Sequence, residues 1–185
     1  MAAQVDVLFA GYVGERVAGT VTLVRENDTV IVIDPGMVPS RQSILDPLRA
    51  LGVQEDHVTD VIFSHHHPDH TLNAALFLNA NVHDVWAVYR DDVWGDRVDV
   101  IRGAPSVSLL DTPGHTPQDL STLIRTSEGL VVCTHLWWSQ AGPIEDPLAD
   151  SQSALEESRR QVLALEPTMI IPGHGPAFTP DALNG

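Results

Sequence analysis

The chain has no lysine. All ten of its basic residues are arginine, set against 25 acids, for a formal net charge of −15 over 185 residues. So large an excess of one sign repels phosphate backbones over long range, and no basic strip interrupts it, so nucleic acid is not an expected partner. Cysteine is almost missing too: the lone Cys133 cannot form an internal disulfide, which agrees with a reducing compartment. No apolar run approaches the ~20 residues of a membrane span. The opening MAAQVDVLFAGYVGERV lacks the basic start and unbroken apolar core of a secretion signal. A cytoplasmic protein without membrane attachment is the expectation. No low-complexity linker or repeat divides residues 1–185, so they are expected to form a single domain, and 43% hydrophobic residues suffice for its core.

What is present begins as strands. VDVLF, TVTLV and TVIVID are short apolar runs, the last two separated by the turn-like RENDT. PSRQSILDPLRALG reads as a helix with Ser40 as its cap, Ile44, Leu45, Leu48 and Leu51 on one face, and Gly52 as its stop; Pro47 predicts a kink or a late start. DVIFS is a buried strand, TLNAALFL looks helical, and DVWAVY, SVSLL, LSTLIRT, LVVC and TMII are further strands. In DSQSALEESRRQVLALEP, Ser153 and Glu156 have the spacing of a capping box, with Leu155, Val162 and Leu163 on the apolar face. Strands in two runs, with helices between and after them, predict an α/β protein of two sheets with helices outside.

Histidine is where the sequence concentrates. Seven of nine histidines fall in four short segments at the ends of these strands: FSHHHPDH with His65, His66, His67 and His70; TPGHTPQD with His115; VVCTHLWW with His135; and IPGHGP with His174. Imidazole and carboxylate suit a divalent ion such as zinc, and strand ends can meet at one point while long stretches separate them. His65 and His67, two apart, can point the same way, and Asp69 and His70 on the next bend can face a second ion. His66 alternates outward. His57 and His83 read as surface residues, Cys133 as a small buried hydrophobe, and Asp119 as a turn residue. Trp137 and Trp138 can wall a pocket or cover the core.

The pattern His65-x-His67-x-Asp69-His70, followed by His115 after TPG and His174 in PGHG, resembles the metallo-β-lactamase superfamily in chain order and approximate separation. The likeness runs from about residue 5 to the end and is nearest to compact single-domain members. It implies an αββα sandwich of two mixed sheets with helices on the outer faces and the metals at one edge. It also implies that His65, His67 and His115 hold one ion and that Asp69, His70 and His174 hold another. Asp34 in VIDPG would orient a ligand histidine, and Asp69 would also act catalytically on a metal-activated water.

The chain departs from that pattern at His135, where the superfamily normally places an aspartate that bridges both ions. A carboxylate has two oxygens, whereas a neutral imidazole has one free lone pair. His135 can therefore ligate one ion, leave the other weakly held, favour iron or nickel over zinc, or stand in the core without a ligand role. The reading adopted is a ligand or close neighbour of a site for one or two divalent ions, zinc first. The expected activity is hydrolysis of a small neutral or cationic ester, thioester or lactone. A phosphodiesterase or a non-hydrolytic metal protein are the alternatives, and the N-terminal strand permits a homodimer.

Overall fold

The computed structural model describes residues 2–183. Among them seven strands lie side by side in chain order: β1 (Gln4–Phe9), β2 (Val21–Glu26), β3 (Thr29–Ile33), β4 (Asp60–Ile62), β5 (Asn81–His83), β6 (Ala87–Arg90) and β7 (Val93–Asp96). Four more, β8 (Val107–Asp111), β9 (Leu120–Thr126), β10 (Gly129–Thr134) and β11 (Met169–Pro172), form a second sheet in the order β11-β10-β9-β8. The pairs β3–β4, β4–β5 and β10–β11 are parallel and the others antiparallel, so both sheets are mixed.

Alternation along the strands decides the layers, because successive side chains face opposite sides of a sheet. In β3, Ile31 and Ile33 point between the sheets, where they meet Ile62, Val107, Ile124, Val131 and Cys133. Val32 points the other way and packs with Leu23, Val61, Ile44 and Leu48 beneath helix α1 (Gln42–Ala50). In β10, Val132 faces outward to Leu155, Val162 and Ile170 under helix α3 (Gln152–Leu163). Each fully buried aliphatic contributes about 1.5–3 kcal/mol. The result is the expected αββα sandwich, with one helix on each outer face.

Local details differ from the sequence reading. Helix α1 starts late, at Gln42, and keeps Pro47 inside it; the Ser40 hydroxyl accepts the Gln42 N–H at 3.1 Å, and Gly52, at φ +77°, follows the end. Helix α3 is capped by Ser151, whose hydroxyl accepts from Ala154 N, rather than by Ser153, and Leu163 stays largely exposed. Ser151 N and Asp150 N donate to Gly114 O and His115 O, and that anchoring sets the earlier start. The helix expected over TLNAALFL is broken into α2 (Pro68–Thr71) and a 3₁₀ turn (Ala74–Leu76). Between them Asn73 N donates to Pro35 O and Asn73 Nδ2 to Gly36 O, bonds that draw the chain toward the β3 end. Strands β5 and β7 were not expected, and His83 lies buried in β5, its Nε2 2.7 Å from Asp60 Oδ1.

Candidate metal centre

The strands β3, β4, β8, β10 and β11 deliver their C-terminal ends to one edge of the sandwich, the usual place for a site in α/β proteins. Asp34 follows β3, His65 through His70 follow β4, His115 follows β8, His135 follows β10 and His174 follows β11. Beneath them a buried hydroxyl chain, Thr112–Ser121–Thr134, links the bases of the His115 and His135 segments at 2.7 and 2.6 Å.

Four rings have one nitrogen tied down. His70 Nδ1 donates to Asp34 Oδ2 at 2.9 Å, His115 Nδ1 to Asp146 Oδ2 at 2.7 Å, and His174 Nδ1 to the Ala18 carbonyl at 2.9 Å. The Ser64 hydroxyl spends its proton on Asp34 Oδ2, at 2.6 Å, so its oxygen accepts from His65 Nδ1 at 3.0 Å. Each bond occupies Nδ1 and leaves Nε2 as the nitrogen turned toward the other histidines and Asp69. His65 Nε2 and His115 Nε2 lie 3.0 and 3.1 Å from His67 Nδ1, and His135 Nε2 lies 3.2 Å from His174 Nε2. Asp69 Oδ2 is 3.4 Å from His70 Nε2 and 3.6 Å from His174 Nε2.

Those separations test whether a metal fits. Donors about 2.0–2.1 Å from a tetrahedral ion stand roughly 3.3 Å from one another, which is the spacing observed. His67 Nδ1 meets both His65 Nε2 and His115 Nε2, and a single proton on it cannot point squarely at both, so a cation among these nitrogens relieves the crowding of lone pairs. The buried His70 Nε2 has no hydrogen-bond partner. The donor set fits one or two divalent ions.

Charge is arranged to match. Burial, reinforced by neighbouring histidines, holds the His65 and His135 pKa values well below the usual imidazole range, so both rings stay neutral and able to ligate. Burial also disfavours charge on His70, but Asp34 and Asp69 outweigh it and raise its pKa to about 9. Burial acts against the Asp69 carboxylate as well, yet His70 brings it down to about 2. The Asp69 carbonyl accepts from Gly19 N and Met37 N, both at 3.1 Å, and any Cβ at Gly36 would overlap it. Only glycine allows that approach.

The structure thus brings together His65, His67, Asp69, His70, His115, His135 and His174, with Asp34 behind His70 and, through Ser64, behind His65. His66 turns outward, its Nε2 3.0 Å from Asp84 Oδ2, and His57 is at the surface. Trp137 is buried against Phe178 in the α3 core, whereas Trp138 donates its Nε1–H to Asp146 Oδ2 at 2.9 Å and lines the site. Asp119 accepts from Thr116 N and Thr116 Oγ1, shaping the His115 turn, and burial raises its pKa to about 6. Asp146 escaped the sequence reading. It sits in the long loop between β10 and α3, 31 residues from His115, and no local motif marks it. Over the centre lies a pocket of about 280 Å³, walled by Val13, Val17, Trp138 and Leu148 around His67, Asp69, His115, His135 and His174.

The chain has counterparts among known proteins. A family model described as the metallo-beta-lactamase superfamily matches residues 14–130. Metallo-beta-lactamase domain-containing protein 1 of Xenopus laevis is 34% identical over 190 residues, covering 95% of this chain and 81% of the frog protein. The Homo sapiens protein of that name is 32% identical, over 80% of this chain and 59% of its own length. In three dimensions an N-acyl homoserine lactone hydrolase, solved with N-hexanoyl-L-homoserine at its catalytic metal centre, superposes with a TM-score of 0.68 at 18% identity, covering 94% of each chain. A metallo-beta-lactamase-like protein of Thermotoga maritima superposes at 0.73 with 21% identity, covering 97% of this chain and 100% of that one. At such identities the two structures speak for the fold alone.

Proposed function

The chain belongs to the metallo-β-lactamase superfamily and is a metal-dependent hydrolase of that group, and we propose that its substrate is a small neutral or cationic ester, thioester or lactone. In this reading His65, His67 and His115 hold one divalent ion, and Asp69, His70 and His174 hold a second, zinc ahead of iron or nickel. Asp34 orients His70, and His135 is a further ligand. Bound there, the ions lower the pKa of water toward neutrality and polarise the acyl oxygen.

The chain's own groups do the rest. The Asp69 carboxylate borders the pocket, its side chain 17% exposed; it orients the attacking water and takes up a proton for the leaving group. Val13, Val17, Trp138 and Leu148 exclude bulk water and receive the apolar part of the substrate. The net charge of −15 disfavours polyanions. One observation supports the reading: four imidazoles, each with one nitrogen satisfied, turn the other nitrogen toward a single cluster of donors that the pocket overlies at His67, Asp69, His115, His135 and His174.

The test is turnover on a panel of esters, thioesters and lactones beside aryl phosphodiesters. Acyl hydrolysis is expected, at least a thousandfold lower in His65→Ala and lost on chelation. Hydrolysis that survives complete metal removal refutes the proposal.

A further inference from the structure

Five of the six clustered histidines are held in place by a direct contact. His65, His70, His115 and His174 are tied through Nδ1, and the buried His135 ring fits against Gly173, where a Cβ would overlap its Cδ2. His67 has no such tie. It is the one exposed ring of the six, its Nδ1 faces His65 Nε2 and His115 Nε2, and among the described residues nothing bonds its Nε2. The backbone that carries it is thinly held as well. Leu120 N donates to Ser64 O, and His70 N and Thr71 Oγ1 donate to His67 O, but among the described residues His65 and His66 make no main-chain hydrogen bond.

We propose that Asp84 is a positioning residue of the metal centre, acting through His66 to aim His67. Unlike Asp34 and Asp146, it bonds to no proposed ligand. The inference rests on the ligand sets proposed above and adds the group that keeps one member in place.

The carboxylate is pinned from the β6 side. Asp84 is buried; its Oδ1 accepts from Trp86 N and Ala87 N at 2.8 and 2.9 Å, and its Oδ2 from the Tyr89 hydroxyl at 2.9 Å. The fourth bond, from His66 Nε2 to Oδ2 at 3.0 Å, is the one that reaches the ligand segment. The two N–H groups alone would satisfy a carboxylate placed only to close the β5–β6 turn. Tyr89 and His66 converge instead on its other oxygen. The His66 ring also packs against Trp86 and, edge-on, Phe63, at centroid distances of 4.8 and 6.5 Å.

His66 points away from the site while its two neighbours point into it, the alternation of an extended chain. The three side chains therefore turn together. A backbone rotation that frees His66 from Asp84 swings His65 and His67 away from His115. His65 is held by its own bond to Ser64, so the displacement falls on His67.

The test reads metal rather than turnover. The whole chain is stripped of metal, reloaded with cobalt(II), and followed by visible absorption and by the rate at which a chelator removes each ion. Urea unfolding of the metal-free form runs beside it. His66→Phe is the decisive variant, because it deletes the bond to Asp84 and keeps a ring against Trp86 and Phe63. It should change the spectrum of the ion at His65, His67 and His115 and speed its loss about tenfold, with the other ion unaltered. His66→Gln, whose amide can donate from nearly the same point, should restore both. Tyr89→Phe removes another bond to the same oxygen and should act in the same direction, more weakly. A His66→Phe protein that is merely less stable, with spectrum and loss rates unchanged, overturns the inference and leaves the ligand sets standing. Equal effects on both ions, or no rescue by His66→Gln, overturn it too. A chain that binds no cobalt overturns the ligand sets and the inference with them. The expected pattern without acyl hydrolysis supports the inference and refutes only the substrate.

Discussion

Two buried carboxylates orient the histidines, and they are held in opposite ways. Asp34 sits directly at the end of β3, in the left-handed region at φ 51°, its N–H bonded to Ile62 O and its oxygens to Ser64 N, Ser64 Oγ and His70 Nδ1. Asp146 sits in the β10–α3 loop, where Leu148 N, Trp138 Nε1 and His115 Nδ1 donate to it. Asp34 is part of the sandwich, and through Ser64 its influence reaches His65 as well as His70. Asp146 reaches one ring. The contrast teaches that one half of the centre is fixed by sheet geometry and the other is completed by a loop.

The largest test is Asp34→Ala. It leaves the Ser64 N–H and the His70 ring unpaired at about 1–3 kcal/mol each, so urea unfolding of metal-free protein should show a loss of about 3 kcal/mol. Both ions should bind roughly 10–100-fold more weakly in a chelator competition. The pH dependence follows from the same contact. His70 titrates at about 9 in the fold against 6.5 for the free side chain, so its stabilising effect is complete below 6.5 and is lost as pH rises through 9. Stability of metal-free protein should therefore fall between those values, and Asp34→Ala should flatten that slope.

Asp146→Ala comes next. It should weaken only the ion at His65, His67 and His115, by roughly 10–100-fold, at a stability cost of about 1–2 kcal/mol. Equal weakening of both ions would break the comparison. Ser64→Ala sharpens it by cutting the link from Asp34 to His65, for about 1 kcal/mol and a few-fold loss confined to the same ion. The smallest effect belongs to Trp138→Phe, which removes one bond to Asp146. About 0.5–1.5 kcal/mol is expected in thermal unfolding, with little change at the second ion.

The same contrast explains what could be read without coordinates. TVIVI and LVVC were legible as strands, but runs apolar on both faces do not say which residue meets which layer; the Gly- and Pro-flanked histidines marked the strand ends. Asp34 was legible through the resemblance that VIDPG carries, although its partners Ser64 and His70 lie 30 and 36 residues away. Asp146 lies in no such motif, and the chain carries 25 acids with no periodicity to single one out. The helix expected in TLNAALFL failed for a similar reason: its apolar spacing is helical, but Asn73 bonds to Pro35 and Gly36, which no local pattern reveals. His83 reads as polar in sequence, yet β5 carries it inward beside Asp60.

Gly173 ties two positions into one unit of change. An exchange of imidazole for carboxylate at 135 is sterically free only while 173 stays bare, and a side chain at 173 is admissible only after the ring has gone. A route that brings an imidazole to 135 therefore needs glycine already in place at 173, and the two positions are best varied together.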